Sequence, residues 1–314
     1  MHILHDMTSD YPFGGHHTMN FDELCSDDKD DKRLLFCWGI QAGFRMELPE
    51  GYNNYVYLEG EEPIGFQSGK LPHERDEPVP WNIDKWDMIV HPHSPSVSQY
   101  LNDVYKTNKF APILNPVNPK WYNPDAEKKY SVGYCGGTHD ALLKGFVKTL
   151  RKFPDSVHIS HWPHMDSGTA THDQVTDAER MQIMNETKIS VIKNSHFGNY
   201  STTVRNLPNW DMYKWASRID DNWVPHLKGR VSDSCIGKCL LLVHRDPWNE
   251  IEHFLKPDEH FIYFDDDVDL ENKIKGILAD WHTYEQVAQN AHDEYMSKWT
   301  TSALYDRLLK PFDK

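Results

Sequence analysis

The stretch WVPHLKGRVSDSCIGKCLLLVHRDPWNEIE, Trp223 to Glu252, decides the fold. A basic turn (Lys228, Gly229, Arg230) leads into a short amphipathic helix over Val231 to Lys238, then an apolar strand from Cys239 to Val243. A loop marked by Pro247 follows, and a further helix is expected to open there. That succession is one α/β unit. Its loop and helix starts can face a single anionic ligand, because the first N–H groups of a helix lack internal partners and carry partial positive charge. The ligand expected is a phosphate-bearing donor.

Upstream of this unit the pattern begins afresh at Tyr130 to Tyr134, a strand that runs into the turn Cys135-Gly136-Gly137-Thr138-His139-Asp140. A helix follows over Ala141 to Phe153, apolar at 142, 143, 146, 147 and 150. A Gly-Gly turn opening a helix is a phosphate cradle in outline. It is not GxGxxG and has no acidic residue at the dinucleotide spacing, so NAD is not expected. Val157 to Ser160 and Ile189 to Ile192 are strands, the second ending at Lys193-Asn194, with a helix over Ala178 to Glu186 between them. His158, His161 and His164 lie close together, but no helix orients them as ligands. Downstream, His260 to Phe264 is a strand, and helices are expected over Asp269 to Trp281, Tyr284 to Trp299 and Thr300 to Leu309.

The first half reads more faintly. His2 to Asp6 is a short strand before a turn carrying Gly14, Gly15 and His16, a possible acceptor or phosphate loop. Leu34 to Trp38, Tyr55 to Leu58 and Asp87 to His91 are further strands, and Ser94 to Tyr105 is a helix capped by Ser94 or Ser96. His91 and His93 stand where a sheet's C-terminal edge delivers side chains to a ligand, and imidazole titrates near neutrality, so either suits a general base. Glu61 and Glu62 are a second source of one. Asn115 to Lys129 carries Pro116, Pro119 and Pro124 with little periodicity and reads as a linker.

Composition sets the outer bounds. At 314 residues the chain exceeds one ordinary core, so two domains are expected, and 39% hydrophobic content with 12% aromatics supports packing over disorder. A net charge of −15 works against broad binding to a polyanion, so a nucleic-acid acceptor is not the expectation; a small anionic donor needs only a local basic pocket. Five cysteines without CxxC spacing point to neither a disulfide framework nor a zinc knuckle, and no histidine set has strong metal-ligand spacing. No apolar run reaches the length of a membrane span and the first residues lack a signal-peptide pattern, so a cytoplasmic protein is expected.

The pattern Lys228-x-Arg230-x-x-Asp233, followed by Leu240 to Val243, Asp246-Pro247-Trp248-Asn249 and Glu250-Ile251-Glu252, resembles the donor-binding half of GT-B glycosyltransferases of the group 1 kind, as found in bacteria and their phages. Asp233 stands where that family usually has Glu, and Lys238 where it usually has Gly. The resemblance implies an α/β protein of two Rossmann-like domains facing a cleft. These would be an acceptor-side domain at 1–114, a linker at 115–129, a donor domain at 130–299 and a helix at 300–314 crossing back to the first domain. It implies transfer of a sugar from a nucleotide diphosphate donor, a UDP- or GDP-sugar, to an acceptor hydroxyl on a carbohydrate or another molecule, with no metal.

The same resemblance distributes the roles. Arg230 with Lys193 or Lys228 would offset charge developing on the diphosphate. Gly136 and Gly137 would let backbone N–H groups approach it, beside Lys144 and Asn194. Asp233, and more weakly Glu250, would accept hydrogen bonds from donor hydroxyls. Three other readings stay open: a GT-A-like transferase with a divalent metal on Asp265-Asp266-Asp267, a non-catalytic nucleotide-sugar or carbohydrate binder, and a sugar-nucleotide epimerase. The acidic triplet also suits a helix start, where carboxylates are favoured.

Overall fold

The computed structural model describes residues 2–5, 33–38, 50–59, 83–91, 94–138, 141–160, 170–173, 175–197, 223–304 and 306–307. Two parallel sheets organise them. The first holds β1 (His2–His5), β2 (Arg33–Trp38), β3 (Asn54–Glu59), β4 (Met88–His91) and β5 (Phe110–Pro112), side by side in chain order with every neighbouring pair parallel. Between β4 and β5 lies α1 (Pro95–Tyr105), whose cap is Ser94 accepting a hydrogen bond from the Val97 amide at 3.2 Å. Pro95 opens it, where a missing N–H costs nothing.

The second sheet is built from β6 (Tyr130–Cys135), β7 (Ser156–Ser160), β8 (His172–Asp173), β9 (Thr187–Ile192), β12 (Leu240–His244) and β13 (Phe261–Phe264). Between β9 and β12 a small antiparallel ladder pairs β10 (Ser195–Phe197) with β11 (Trp223–Pro225). The strand order is β13-β12-β9-β6-β7-β8. The chain therefore moves outward from β6 to β8, then returns to the other side of β6 with β9. Loops leaving β6 and β9 diverge at that reversal, and open α/β sheets hold their ligands beyond the carboxyl ends of the strands there.

Helices clothe both faces of this sheet. α2 (Ala141–Leu150), α3 (Asp177–Asn185), α4 (Gly229–Ile236), α5 (Asp267–Ala279), α6 (Trp281–Lys298) and α7 (Thr301–Leu304) follow in order. β12 shows why its sequence is a solid apolar run. Leu240 and Leu242 pack with Leu143, Phe146 and Ile274, while Leu241 and Val243 pack with Val231, Cys235 and Tyr295. Side chains alternate across a strand, so a strand covered on both sides needs apolar residues at every position. The second of those clusters also takes in Val90, Ile113, Leu114 and Val117, so β4 and the chain after β5 share its core.

Two local expectations are corrected. The helix expected at Pro247 is a short 3-10 turn over Glu250–His253, because Asp246 Oδ1 accepts from the Trp248 and Asn249 amides, both at 2.9 Å, and turns the chain first. The break expected between Trp281 and Tyr284 falls at Asp280, φ −132°, so α6 begins at Trp281. α7 is described over Thr301–Leu304, and residues 305 and 308–309 of the helix expected to run to Leu309 lie outside the described residues. Lys238, just past the Gly237 cap of α4, lies at φ 52°, the left-handed region where glycine fits without strain, so the lysine there is held in a conformation that a glycine would take more easily.

The 115–129 segment is tied to the C-terminal helices. Tyr295 Oη donates to the Asn115 carbonyl and accepts from the Val117 amide at 3.0 Å, and Val117 bridges to Thr300. Glu250 makes a second long-range tie, described below.

Candidate donor site

At the end of β6 the chain turns through Gly136 at φ +136°, which side chains rarely tolerate. A Cβ at Gly136 would also overlap the Arg230 guanidinium. The expected meeting of Gly136 and Arg230 is thus present: Arg230, in the first turn of α4, lies over the Tyr134 ring with Cζ 4.7 Å from its centroid. The Gly136 N–H, expected to meet the ligand, is instead committed to the Ile159 carbonyl at 2.9 Å. Its carbonyl accepts from His158 Nε2 at 2.8 Å, and Tyr134 Oη donates to the Gly137 carbonyl at 3.0 Å. Arg230, rather than the Gly136 amide, is what this turn offers an anion.

Across the reversal, β9 ends at Lys193 and Asn194, both buried. The Asn194 carbonyl accepts from the His226 amide at 3.1 Å, and its Oδ1 lies 3.4 Å from the Lys228 amide. Lys228 Nζ in turn reaches His226 Nδ1 at 2.5 Å. Asn194 therefore fixes the basic turn that opens α4, which is further pinned to β9 by Ser234 Oγ on Ser190 Oγ at 2.7 Å. Among the described residues, Asn194 Nδ2 is buried with no acceptor. Such a donor costs about 1–3 kcal/mol unless an oxygen reaches it. At the foot of α4, Gly229 lies so close to the Asn115 side chain that a Cβ would come within 2.8 Å of Nδ2.

Asp233, one helical turn beyond Arg230, points into the protein. It is 4% exposed and sits 3.3 Å from Arg180, which also lies 3.1 Å from Asp177. Burial pushes the Asp233 carboxyl up, and the Arg180 charge opposes that push. The structure thus gives Asp233 an ion pair across α3 and α4, where the sequence suggested a ligand's hydroxyl. Arg180 escaped the sequence reading because DAER at a helix start looks solvent-facing; the capping box of Thr176 and Glu179 is the signal that fixes the register.

Glu250 is placed away from this turn. Fully buried, it accepts from Ser94 Oγ at 2.7 Å, from the Ser96 amide at 3.1 Å and from Ser96 Oγ. A carboxylate at the start of α1 completes its cap and meets its partial positive charge. Glu250 therefore joins the second sheet's loop to the first sheet's helix and has no lone pair facing outward to solvent. Lys144 is exposed on α2, and the adjacent Gly145 backs onto Asp267, whose Oδ2 would lie 2.5 Å from a Cβ there.

Of the acidic triplet, Asp266 caps α5 by accepting from the Val268 and Asp269 amides at 2.8 Å, and Asp265 pairs with Arg245 at 2.9 Å. His91 closes β4 just ahead of Ser94, with only its backbone described. His93, Gly14, Gly15 and His16 lie outside the described residues. Among the described residues no helix is long and apolar enough to cross a membrane.

A six-stranded parallel sheet with this order, and helices on both faces, defines a Rossmann-like unit, with a basic helix start beside the reversal of its strand order. The chain belongs to the family described as glycosyl transferase-like, whose model matches residues 140–310, more than half of it. No curated protein matches the chain. Among solved structures, sucrose-phosphate synthase from Thermosynechococcus elongatus is similar at 10% identity and a TM-score of 0.54, covering 90% of this chain and 73% of that one. A glycosyltransferase from Rickettsia africae is similar at 9% identity and a TM-score of 0.54, covering 99% and 97%. HepE from Anabaena, solved in complex with UDP and glucose, is similar at 8% identity and a TM-score of 0.53, covering 83% and 71%. At such identities the likeness carries the fold, which is that of GT-B glycosyltransferases.

Proposed function

We propose that this chain transfers a hexose from a nucleotide diphosphate sugar to an acceptor hydroxyl, with the donor held beyond the carboxyl ends of β6 and β9. One observation carries the reading: Gly136, Arg230, Lys228 and Asn194 converge where the strand order reverses. The departing nucleoside diphosphate gains negative charge as the glycosidic bond breaks. Arg230, with Lys193 or Lys228, opposes that charge, a guanidinium edge matching two phosphate oxygens at once. Asn194 Nδ2 donates to a donor oxygen. His91 or His93 takes the acceptor proton, and Gly14, Gly15 and His16 would serve the acceptor or the donor phosphates. UDP is the favoured nucleotide, since a structure of this fold holds it. Cationic side chains and helix N–H groups do the work that a divalent metal does in GT-A enzymes, so chelator leaves turnover intact.

The test is a thermal-shift panel of UDP-, GDP-, CDP- and ADP-sugars, with and without magnesium or manganese, followed by a donor-turnover assay. A ligand that binds only the folded state raises its melting temperature. A rise with one nucleotide class, undiminished by chelator, is expected; no rise with any of the four sinks the proposal. Conversion of free donor without acceptor would identify an epimerase.

A further inference from the structure

We infer that Tyr134 and His158 are positioning residues of the donor site, holding the Arg230 guanidinium and the Gly136-Gly137 turn in one arrangement. The inference rests on the donor-site reading above for what the arrangement serves, though the arrangement itself can be measured without any donor. Tyr134 on β6 and His158 on β7 are direct cross-strand partners, their rings 5.5 Å apart. Each donates to a successive carbonyl of the turn, His158 Nε2 to Gly136 and Tyr134 Oη to Gly137. The negative poles of two peptide groups are thereby engaged by protein donors at a place where an anion is to sit.

Tyr134 has a second task. Its ring is 1% exposed, and the Arg230 guanidinium lies over it. A guanidinium over an aromatic face is attracted by the ring's negative pole. Gly136, having no side chain, leaves the space for it. The manner of holding matters chemically. A carboxylate holder would neutralise the guanidinium and occupy its N–H fork, whereas a ring touches only its flat face. Among the described residues no ion pair involves Arg230, so its charge and in-plane donors remain available to phosphate oxygens.

The experiment uses the full chain and six variants: Tyr134→Phe, Tyr134→Leu, Arg230→Ala, the double variant Tyr134→Leu/Arg230→Ala, His158→Gln and His158→Leu. The first readout needs no ligand: arginine side-chain NMR, with the Arg230 Nε–Hε signal assigned from its loss in Arg230→Ala. A ring-current shift present in the wild type and Tyr134→Phe and absent in Tyr134→Leu is expected. An identical Arg230 signal in all three overturns the inference. The second readout is UDP and UDP-glucose affinity by calorimetry. Tyr134→Leu should weaken binding about tenfold and Tyr134→Phe less, with no further loss when Arg230 is already alanine. A full loss persisting in the Arg230→Ala background would make Tyr134 a structural residue only and overturn the inference. If the wild type binds neither probe, the donor reading fails by itself, and the NMR shift still decides whether Tyr134 holds Arg230. His158→Gln, which keeps a donor for the Gly136 carbonyl, should restore the affinity that His158→Leu loses; equal affinity in both would remove His158 from the assignment.

Discussion

The two sheets differ in how the chain threads them. In the first, the described strands lie in chain order from β1 to β5, whereas in the second the order turns back between β6 and β9. Only the second therefore has, among its described strands, a place where neighbouring loops part and leave room beyond the strand ends. The chemistry follows that division. Arg230, Gly136 and Asn194 gather at the reversal, while the first sheet's best-defined polar feature, the start of α1, is filled by Glu250 from the other sheet. The same kind of helix N-terminus thus serves an expected ligand in one case and the protein's own carboxylate in the other. What separates them is whether a residue of the chain already supplies the anion.

That contrast can be broken most severely at the reversal. Arg230→Ala is expected to lower donor turnover by about 100-fold or more, because nothing else on that turn offers a guanidinium fork, while the melting temperature stays within about 2 °C. An active variant would place the diphosphate elsewhere. The tie between the sheets comes next. Glu250→Ala leaves Ser94 Oγ, Ser96 Oγ and the Ser96 amide without their acceptor and is expected to cost about 3 kcal/mol in urea unfolding. A loss below half of that would mean that solvent replaces the carboxylate.

A smaller effect sits on the same loop. Burial, reinforced by Glu250 and Glu252, raises the Asp246 carboxyl from its ordinary 3.8 to about 6. Because the folded-state value is the higher one, its favourable contribution is complete below pH 3.8 and is lost as pH rises through about 6. Asp246→Asn keeps the Oδ1 acceptor for Trp248 and Asn249 and removes the titration. The stability of the variant relative to the wild type should therefore grow between pH 4 and pH 7, by on the order of 2 kcal/mol. A difference independent of pH would show that Asp246 does not titrate in that window. Least of all should be Asp266→Ala, which removes a cap and costs about 1 kcal/mol without changing turnover. Loss of turnover there would bring back the metal reading of the acidic triplet.

How far the sequence carried this picture depended on length and locality. β12 was legible because the five consecutive apolar residues Cys239 to Val243, four of them in the strand, leave few other readings between turn signals, and α4 because its pattern resembles a family's. β8, β10 and β11 span two or three residues, too short for any period to register. At the site, Arg230 and Gly136 could be named from local motifs. Tyr134 and His158 could not: Tyr134 reads as one more strand residue, and His158 as one of three clustered histidines, until β6 and β7 are paired. Glu250 was misplaced because its partners lie 154 and 156 residues away.

Tyr295 carries a consequence for how the protein comes into being. Its hydroxyl meets the Val117 amide 178 residues earlier, so the segment joining the sheets has no such clasp until nearly all of α6 has been synthesised. At ordinary ribosomal speeds that is a delay on the order of ten seconds or more. For most of that interval the nascent chain carries its first sheet without the Glu250 carboxylate, and for all of it without the Tyr295 clasp. Chaperone protection would matter most in that window.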